Sequence, residues 1–202
     1  PATAWRPGEV VADAYEIPLP AGLAPGDYVP LVIVYDPATG AERGRVELPP
    51  VTLRGSGARP PRRALEESVA QTPYARFGDV ELLGFTPPDP KVLYGPGDAL
   101  PLTLLWQALA EPAGNLRVSF WLEADELYPL GEEPVGGNSP ASGWQEGQVV
   151  RQQPVLQVPD IKPPGTYRLK MRVTRDGQPV PWGRWLIPLG SDLDLGAVHT
   201  GR

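Results

Sequence analysis

The first 36 residues of the chain return, without a gap, as residues 140–175. The two segments are identical at 11 of 36 positions, whereas unrelated sequences share about two or three at average residue usage. The matches include aromatic residues, a valine pair and a glycine-x-tyrosine motif: Trp5/Trp144, Val10/Val149, Val11/Val150, Gly26/Gly165 and Tyr28/Tyr167. We therefore predict that the chain builds one structural unit twice.

Proline and glycine shape the expected backbone. The 202 residues include 28 prolines and 23 glycines, about a quarter of the chain, which borders on the composition of disordered segments. The hydrophobic fraction is 41%, however, and the apolar residues alternate as they do in strands. Because proline cannot donate to a β-ladder, its frequency indicates many loops and strand ends. It also stiffens the unfolded chain, as expected of a heat-adapted source.

Charge and composition exclude several classes of function. The chain carries 18 basic and 24 acidic residues, a net charge of −6, and it lacks the basic stripe of a nucleic-acid-binding protein. It contains no cysteine, which excludes disulfides and thiolate metal sites. It also lacks an apolar run of about 18 residues, so no membrane insertion of this chain is predicted. No cofactor is predicted.

The chain divides into four parts by its turn signals. Residues 1–53 form the first copy, with short strands at 10–11, 15–19, 28–35, 45–48 and 51–53 and a turn at 36–40. Residues 54–76 are predicted to be a linker, with a short helix over 64–71. Its basic residues Arg59, Arg62 and Arg63 are interpreted as solvated, with binding of anions or a membrane surface as the alternative.

The long unit, residues 77–190, contains the clearest alternation. Strands are predicted at 80–85, 100–107, 116–123, 148–151, 155–158, 167–175 and 184–189, with a loop over 125–142 and a tail over 191–202. Short strands separated by turns, with almost no helix, indicate an all-β, immunoglobulin-like antiparallel β-sandwich. The first copy lacks everything that corresponds to residues 77–139, so it is expected to be the back half of an upstream sandwich. Its open inner face favours a dimer or a domain swap.

The two copies differ in the outward face of one strand. In residues 167–175 the outward side chains are polar, with Arg168, Lys170 and Arg172 among them. The first copy instead has an apolar outward set: Val29, Leu31, Ile33 and Tyr35. A strand that is apolar on both faces is buried on both faces. We therefore predict that this set packs against the second unit, another chain or a further part of a parent protein.

Residues suited to catalysis are sparse. The single histidine, His199, lies near the end of the chain, a poor place for the positioned base of a serine hydrolase. The carboxylates that follow the strand at 116–123 are interpreted as loop charges rather than a glycosidase pair: Glu123, Asp125, Glu126, Glu132 and Glu133. Asp192 and Asp194 faintly resemble a calcium loop but lack its other ligands. No catalytic or metal-binding residue is predicted.

Tryptophans are the best candidates for binding. Trp106 continues an apolar stripe, and Trp5 and Trp144 recur at one repeat position, so all three are expected in cores. Trp121 lies opposite Phe120, and Trp182 follows a hairpin. These two are the candidate exposed anchors for a sugar ring or a partner protein.

Several segments carry a family resemblance: residues 5–11, 19–42, 77–85 (FGDVELLGF) and 96–108 (PGDALPLTLLWQA), with the second copy at 144–173. They resemble the extracytoplasmic C-terminal β-sandwich modules of bacterial multi-pass membrane glycosyltransferases of the protein-mannosyltransferase-like class. The second copy departs from the pattern after Val173. The resemblance implies an accessory module outside the membrane, tethered through an upstream segment. It also implies that catalysis belongs to the membrane domain, so no catalytic residue carries over.

The leading hypothesis is a non-catalytic accessory module that contacts a protein partner, the parent membrane domain or a glycan. The first alternative is an independent carbohydrate-binding module, which requires exposed tryptophan side chains. The second is a hydrolase, which requires two carboxylates that face each other in a pocket.

Overall fold

The structure, a computed structural model, describes residues 12, 14–20, 22–23, 25–54, 61–184 and 187–201. Its helix α1 spans Arg62–Glu66. The strands in chain order are β1 (Gly26–Tyr28), β2 (Leu31–Tyr35), β3 (Glu42–Glu47), β4 (Val51–Leu53), β5 (Ala75–Phe77), β6 (Val80–Thr86), β7 (Leu93–Tyr94), β8 (Ala99–Leu100), β9 (Thr103–Ala108), β10 (Leu116–Glu123), β11 (Leu127–Pro134), β12 (Val149–Gln152), β13 (Leu156–Gln157), β14 (Thr166–Arg175), β15 (Gln178–Pro179), β16 (Trp182–Arg184), β17 (Ile187–Gly190) and β18 (Asp192–Thr200). The fold is all-β, as predicted.

Two large sheets form the second unit and enclose one core. The first sheet has the order β11-β10-β14-β18-β7, with β15 added beside β14. The second has the order β12-β9-β6-β5-β16-β17. Neighbouring strands are antiparallel except β18 and β7, which are parallel. The side chains between the sheets are almost fully buried, so the unit is β-sandwich-like.

Alternation decides which side chains enter this core. Along β10, Leu116, Val118, Phe120 and Leu122 are buried, and the residues between them are half-exposed. Along β14, Tyr167, Leu169, Met171 and Val173 are buried. Both inward sets are as predicted, because successive side chains of a strand point to opposite faces.

A second, smaller apolar cluster lies on the outer side of the second sheet. Leu65 of α1 packs there with Leu83 and Leu105. The β6–β9 register shifts between Leu82 and Gly84, and such a bulge turns Leu83 away from the main core. The predicted helix is present but begins and ends earlier than residues 64–71.

Three predicted elements are wrong. Residues 15–19 form no strand; Pro18 and Pro20 remove donors there, and Tyr15 is 81% exposed. Residues 127–134 are strand β11, not loop. Residues 192–200 are strand β18, not tail, so the second unit extends past residue 190. The predicted strand at residues 10–11 lies outside the described residues.

The first unit consists of two separate strand pairs. β1 pairs with β4, and β2 pairs with β3 across a turn in which the Asp36 carboxylate accepts the Ala38 and Thr39 N–H groups. The predicted strand at residues 28–35 is therefore interrupted, at Val29 and Pro30. Nearly all side chains of these four strands are exposed.

Candidate functional site

The outward face of the first sheet carries a regular array of opposite charges. The register places Glu132, Ser119, Arg172 and Asp192 side by side across four strands. The next row contains Pro129, Trp121, Lys170 and Asp194. The array exists because β10 and β14 bury one face completely and leave the other to polar residues.

Every charge in this array has a partner of opposite sign. Arg172 binds Asp192 through two hydrogen bonds of 2.6 and 2.9 Å. Arg168 binds Asp194 at 2.8 and 2.6 Å. The hydrogen bond to Asp192 raises the pKa of Arg172, and the bond from Arg117 lowers the pKa of Glu132. Arg172 and Glu132 therefore each stay ionised over a wider pH range than a free side chain of the same type.

These contacts explain the Asp192-x-Asp194 motif. Both carboxylates lie on β18 and pair with arginines of β14, so neither is free for a calcium ion. The Nδ1 atom of His199 lies 2.9 Å from Thr166 Oγ1. In the described residues, no group of three or more histidine, aspartate or glutamate side chains is arranged to hold a metal ion.

Trp121 and Trp182, the predicted anchors, each contact one member of the Arg172–Asp192 pair, and Trp182 also packs against the main core. The Arg172 guanidinium sits 5.4 Å from the centre of the Trp121 ring. The Asp192 carbonyl accepts the Trp182 Nε1–H at 3.0 Å. Both tryptophans are half-exposed. The structure thus connects two residues that are 61 positions apart, although their role in binding stays a prediction.

A groove of about 630 Å³ opens over Trp121. Its walls combine aromatic, apolar and charged groups from β10, β11, β14, β15 and β18, among them Trp121, Leu127, Pro129, Glu132, Arg172 and Asp192. Sequence reasoning singled out Trp121 but missed the other walls of this groove. The alternation of charged residues along β14 indicated a polar outward face. It does not indicate which strands lie beside β14 and complete the groove.

The first unit presents the second candidate surface. We call the side chains Val29, Leu31, Ile33 and Tyr35 the outward set, and Tyr28, Val32 and Val34 the inward set. Val34 is 57% exposed and Tyr35 is 55% exposed, so both faces of the hairpin are open in this chain. Whether a partner covers the outward set is not tested by the structure, so this remains a prediction.

A third feature is a cavity of about 150 Å³ beneath helix α1. It is lined by apolar and polar groups, among them Leu65, Glu66, Val69, Tyr74, Glu81, Leu83 and Gln107. Arg62 and Tyr74 lower the pKa of Glu66 through hydrogen bonds, the Tyr74 contribution being larger. Burial raises the pKa of Glu81, against the attraction of Arg76 and Arg62. Arg62 and Arg63 pair with Glu66 and Glu67, which favours the interpretation of these two arginines as ordinary helix charges. Arg59 lies outside the described residues.

The raised pKa of Glu81 predicts a pH effect on stability. The folded state holds the proton of the Glu81 carboxyl group more tightly than the unfolded chain does. The stability that this proton contributes is therefore present at low pH and is lost as pH rises through the folded pKa. We expect Glu81→Gln to remove this loss and to gain stability, relative to the wild type, as pH rises from the ordinary carboxyl pKa of 4.5 through the raised pKa of folded Glu81. Urea unfolding across this range measures it. The exposed Glu47→Gln is the control, and a parallel pH profile for Glu81→Gln and the wild type would contradict the prediction.

Comparison with known proteins adds no family. No protein-family model matches the chain, and no curated protein matches it. Among the described residues, no helix is both long and apolar enough to cross a bilayer.

Proposed function

We propose that this chain is a non-catalytic, extracytoplasmic accessory module of a membrane glycosyltransferase-like protein, and that it acts through the first unit. The observation that carries the proposal is the apolar segment of strands β1 and β2, residues 26–35, whose side chains are largely exposed on both faces. Such a surface is costly in water and favours a partner. The immunoglobulin-like assignment and the tandem repeat are parts of the same proposal.

Strand register supports the repeat. In the first copy, Tyr28 of β1 pairs with Val51 of β4 in antiparallel register. In the second copy, the matching Tyr167 of β14 pairs with Val198 of β18, also in antiparallel register. The glycine-x-tyrosine motif therefore meets a valine from a later strand in both copies. Equivalent pairing is what two copies of one unit are expected to form.

The second copy indicates which kind of segment should cover the inward set of the first copy. Tyr167 is 4% exposed and Val173 is 0% exposed, whereas their counterparts Tyr28 and Val34 are 36% and 57% exposed. The residues of the second copy are covered because β10 lies beside β14 and the second sheet lies opposite. We therefore propose that the occupant of the inward set is a front half of the same kind as residues 75–134.

The membrane assignment rests on the sequence resemblance of residues 5–11, 19–42, 77–85, 96–108 and 144–173. Its test is the protein sequence upstream of Pro1. Transmembrane segments there would support a membrane-tethered parent protein, and an array of secreted repeats would contradict it.

A fusion tests the interaction directly. Residues 75–139 placed immediately before Pro1 recreate the order of the second copy, since Pro1 matches Pro140. We expect the amides of Val32 and Val34 to exchange at least about tenfold more slowly in the fusion than in the unfused chain, because the added strands bury them. Hydrogen exchange measured by NMR gives this ratio.

The control is the same fusion carrying Val34→Lys, which places a charge on the inward set and should abolish the added protection. Unchanged exchange in the unmodified fusion would contradict the proposed occupant. Sedimentation of the unfused chain gives a second check. A stable dimer with protected Val32 and Val34 would show instead that a second copy covers this surface.

A further inference from the structure

We propose that the groove over Trp121 is a binding site for a neutral oligosaccharide, because it places a half-exposed indole among paired carboxylates and guanidiniums on a rigid sheet. This inference goes beyond the role of the first unit and does not depend on it. It uses another face, other strands and another class of ligand.

The indole supplies the apolar part of the site. The C–H face of a pyranose ring packs on a flat aromatic surface, and Trp121 is the half-exposed aromatic residue of the groove wall, since the neighbouring Phe120 is buried. Its Nε1 atom is buried and has no hydrogen-bond acceptor within the described residues, so packing rather than a side-chain bond fixes the ring. Leu127 and Pro129 continue the apolar surface along β11.

The charged residues supply directional hydrogen bonds without a net charge. Around Trp121 the array contains four carboxylates and four basic groups: Glu123, Glu132, Asp192, Asp194, Arg117, Arg168, Lys170 and Arg172. A sugar hydroxyl both donates and accepts, so neighbouring hydroxyls can bridge a carboxylate and a guanidinium. The carboxylates that line the groove itself are Glu123, Glu132 and Asp192, and each is neutralised by a paired basic side chain: Lys170, Arg117 and Arg172 respectively. The balance therefore favours a neutral, polyhydroxylated ligand.

Size and rigidity fit the same ligand. A groove of about 630 Å³ lies within the range of about 300–1,000 Å³ that small-molecule sites occupy. Trp121 and Arg172 lie on β10 and β14, interior strands that are paired on both sides. Such placement lowers the ordering cost of binding because the groups are held before the ligand arrives.

The test is an NMR titration of the full chain with maltohexaose, cellohexaose and β-1,4-mannohexaose, with trigalacturonic acid as the anionic comparison. We expect at least one neutral hexasaccharide to shift the Trp121 indole N–H resonance saturably, and the anionic sugar to shift it less. Trp121→Ala should weaken that binding by about fivefold to tenfold, the loss expected for one stacked aromatic ring. Tyr15→Ala, which removes an aromatic side chain that is 81% exposed and lies outside the groove, should leave it unchanged.

Glu132→Gln provides a second variant that leaves the core untouched, since Glu132 is exposed. Loss of its charged acceptor should weaken binding by about threefold or more. The proposal is overturned if none of the neutral sugars shifts the Trp121 resonance at about 10 mM, a concentration that detects millimolar affinity. It is also overturned if Trp121→Ala and Glu132→Gln both fold and bind with unchanged affinity.

Discussion

Replacing Gln152 with leucine is expected to lower the free energy of unfolding by about 3 kcal/mol, because buried hydrogen-bonding groups lose their partners. Gln152 is 2% exposed. Its Oε1 atom accepts the Trp106 Nε1–H at 2.8 Å and the Gly136 N–H at 2.9 Å. Its Nε2 group donates to Glu133 Oε1 at 2.6 Å and to the Pro134 carbonyl at 3.1 Å.

The chain supplies a matched control in the next residue. Gln153 is exposed, and its amide makes one contact of 3.5 Å with Thr103 Oγ1. Gln153→Leu should change stability by less than about 0.5 kcal/mol, as surface substitutions do. Urea denaturation with an unchanged m-value gives the comparison. Equal unfolding midpoints for the two variants would show that the Gln152 network contributes little to stability.

The second large effect is expected at Gly136. Its φ is +89°, and an added Cβ would lie 2.3 Å from both the Ser139 carbonyl oxygen and Trp144 Cζ2. Trp144 is buried and donates its Nε1–H to the same Ser139 carbonyl at 2.7 Å. Gly136→Ala therefore combines left-handed strain with a steric clash, and we expect a loss of about 2–5 kcal/mol in unfolding free energy.

The variant Gly97→Ala distinguishes left-handed backbone strain from the steric clash. Its φ is +85°, and a Cβ there would meet no atom within 4 Å. Gly97→Ala should therefore lose only about 1–2 kcal/mol, the cost of the left-handed backbone alone. Thermal and urea unfolding of both variants measure the difference. A loss as large for Gly97→Ala as for Gly136→Ala would mean that the clash with Trp144 is relieved at no cost.

The interior of the second unit was predictable because its strands alternate regularly. The predicted strand at 116–123 is present with those bounds, and its inward residues are buried. β11 was missed because Pro129, Gly131 and Pro134 interrupt its pattern. Proline is tolerated there since β11 is an edge strand.

β18 was missed for a different reason. Its register against β14 shifts between Leu169 and Lys170, so its buried residues change from odd to even positions: Leu193 and Leu195, then Val198 and Thr200. A bulge inserts one residue and reverses the faces beyond it. Local alternation therefore breaks within a strand that is nevertheless interior to the sheet.

By itself the sequence determined the all-β class, the duplicated segment, and the buried and exposed faces of β10 and β14, because these depend on a two-residue period along one strand. It also marked Trp121 as a residue on the outward face. Only the tertiary structure decided that Arg172 lies over Trp121, that Asp192 pairs with Arg172, and that the hairpin of the first unit is open. These facts depend on the strand order β10-β14-β18 and on which sheet lies opposite. The two-residue period of a single strand determines neither of them.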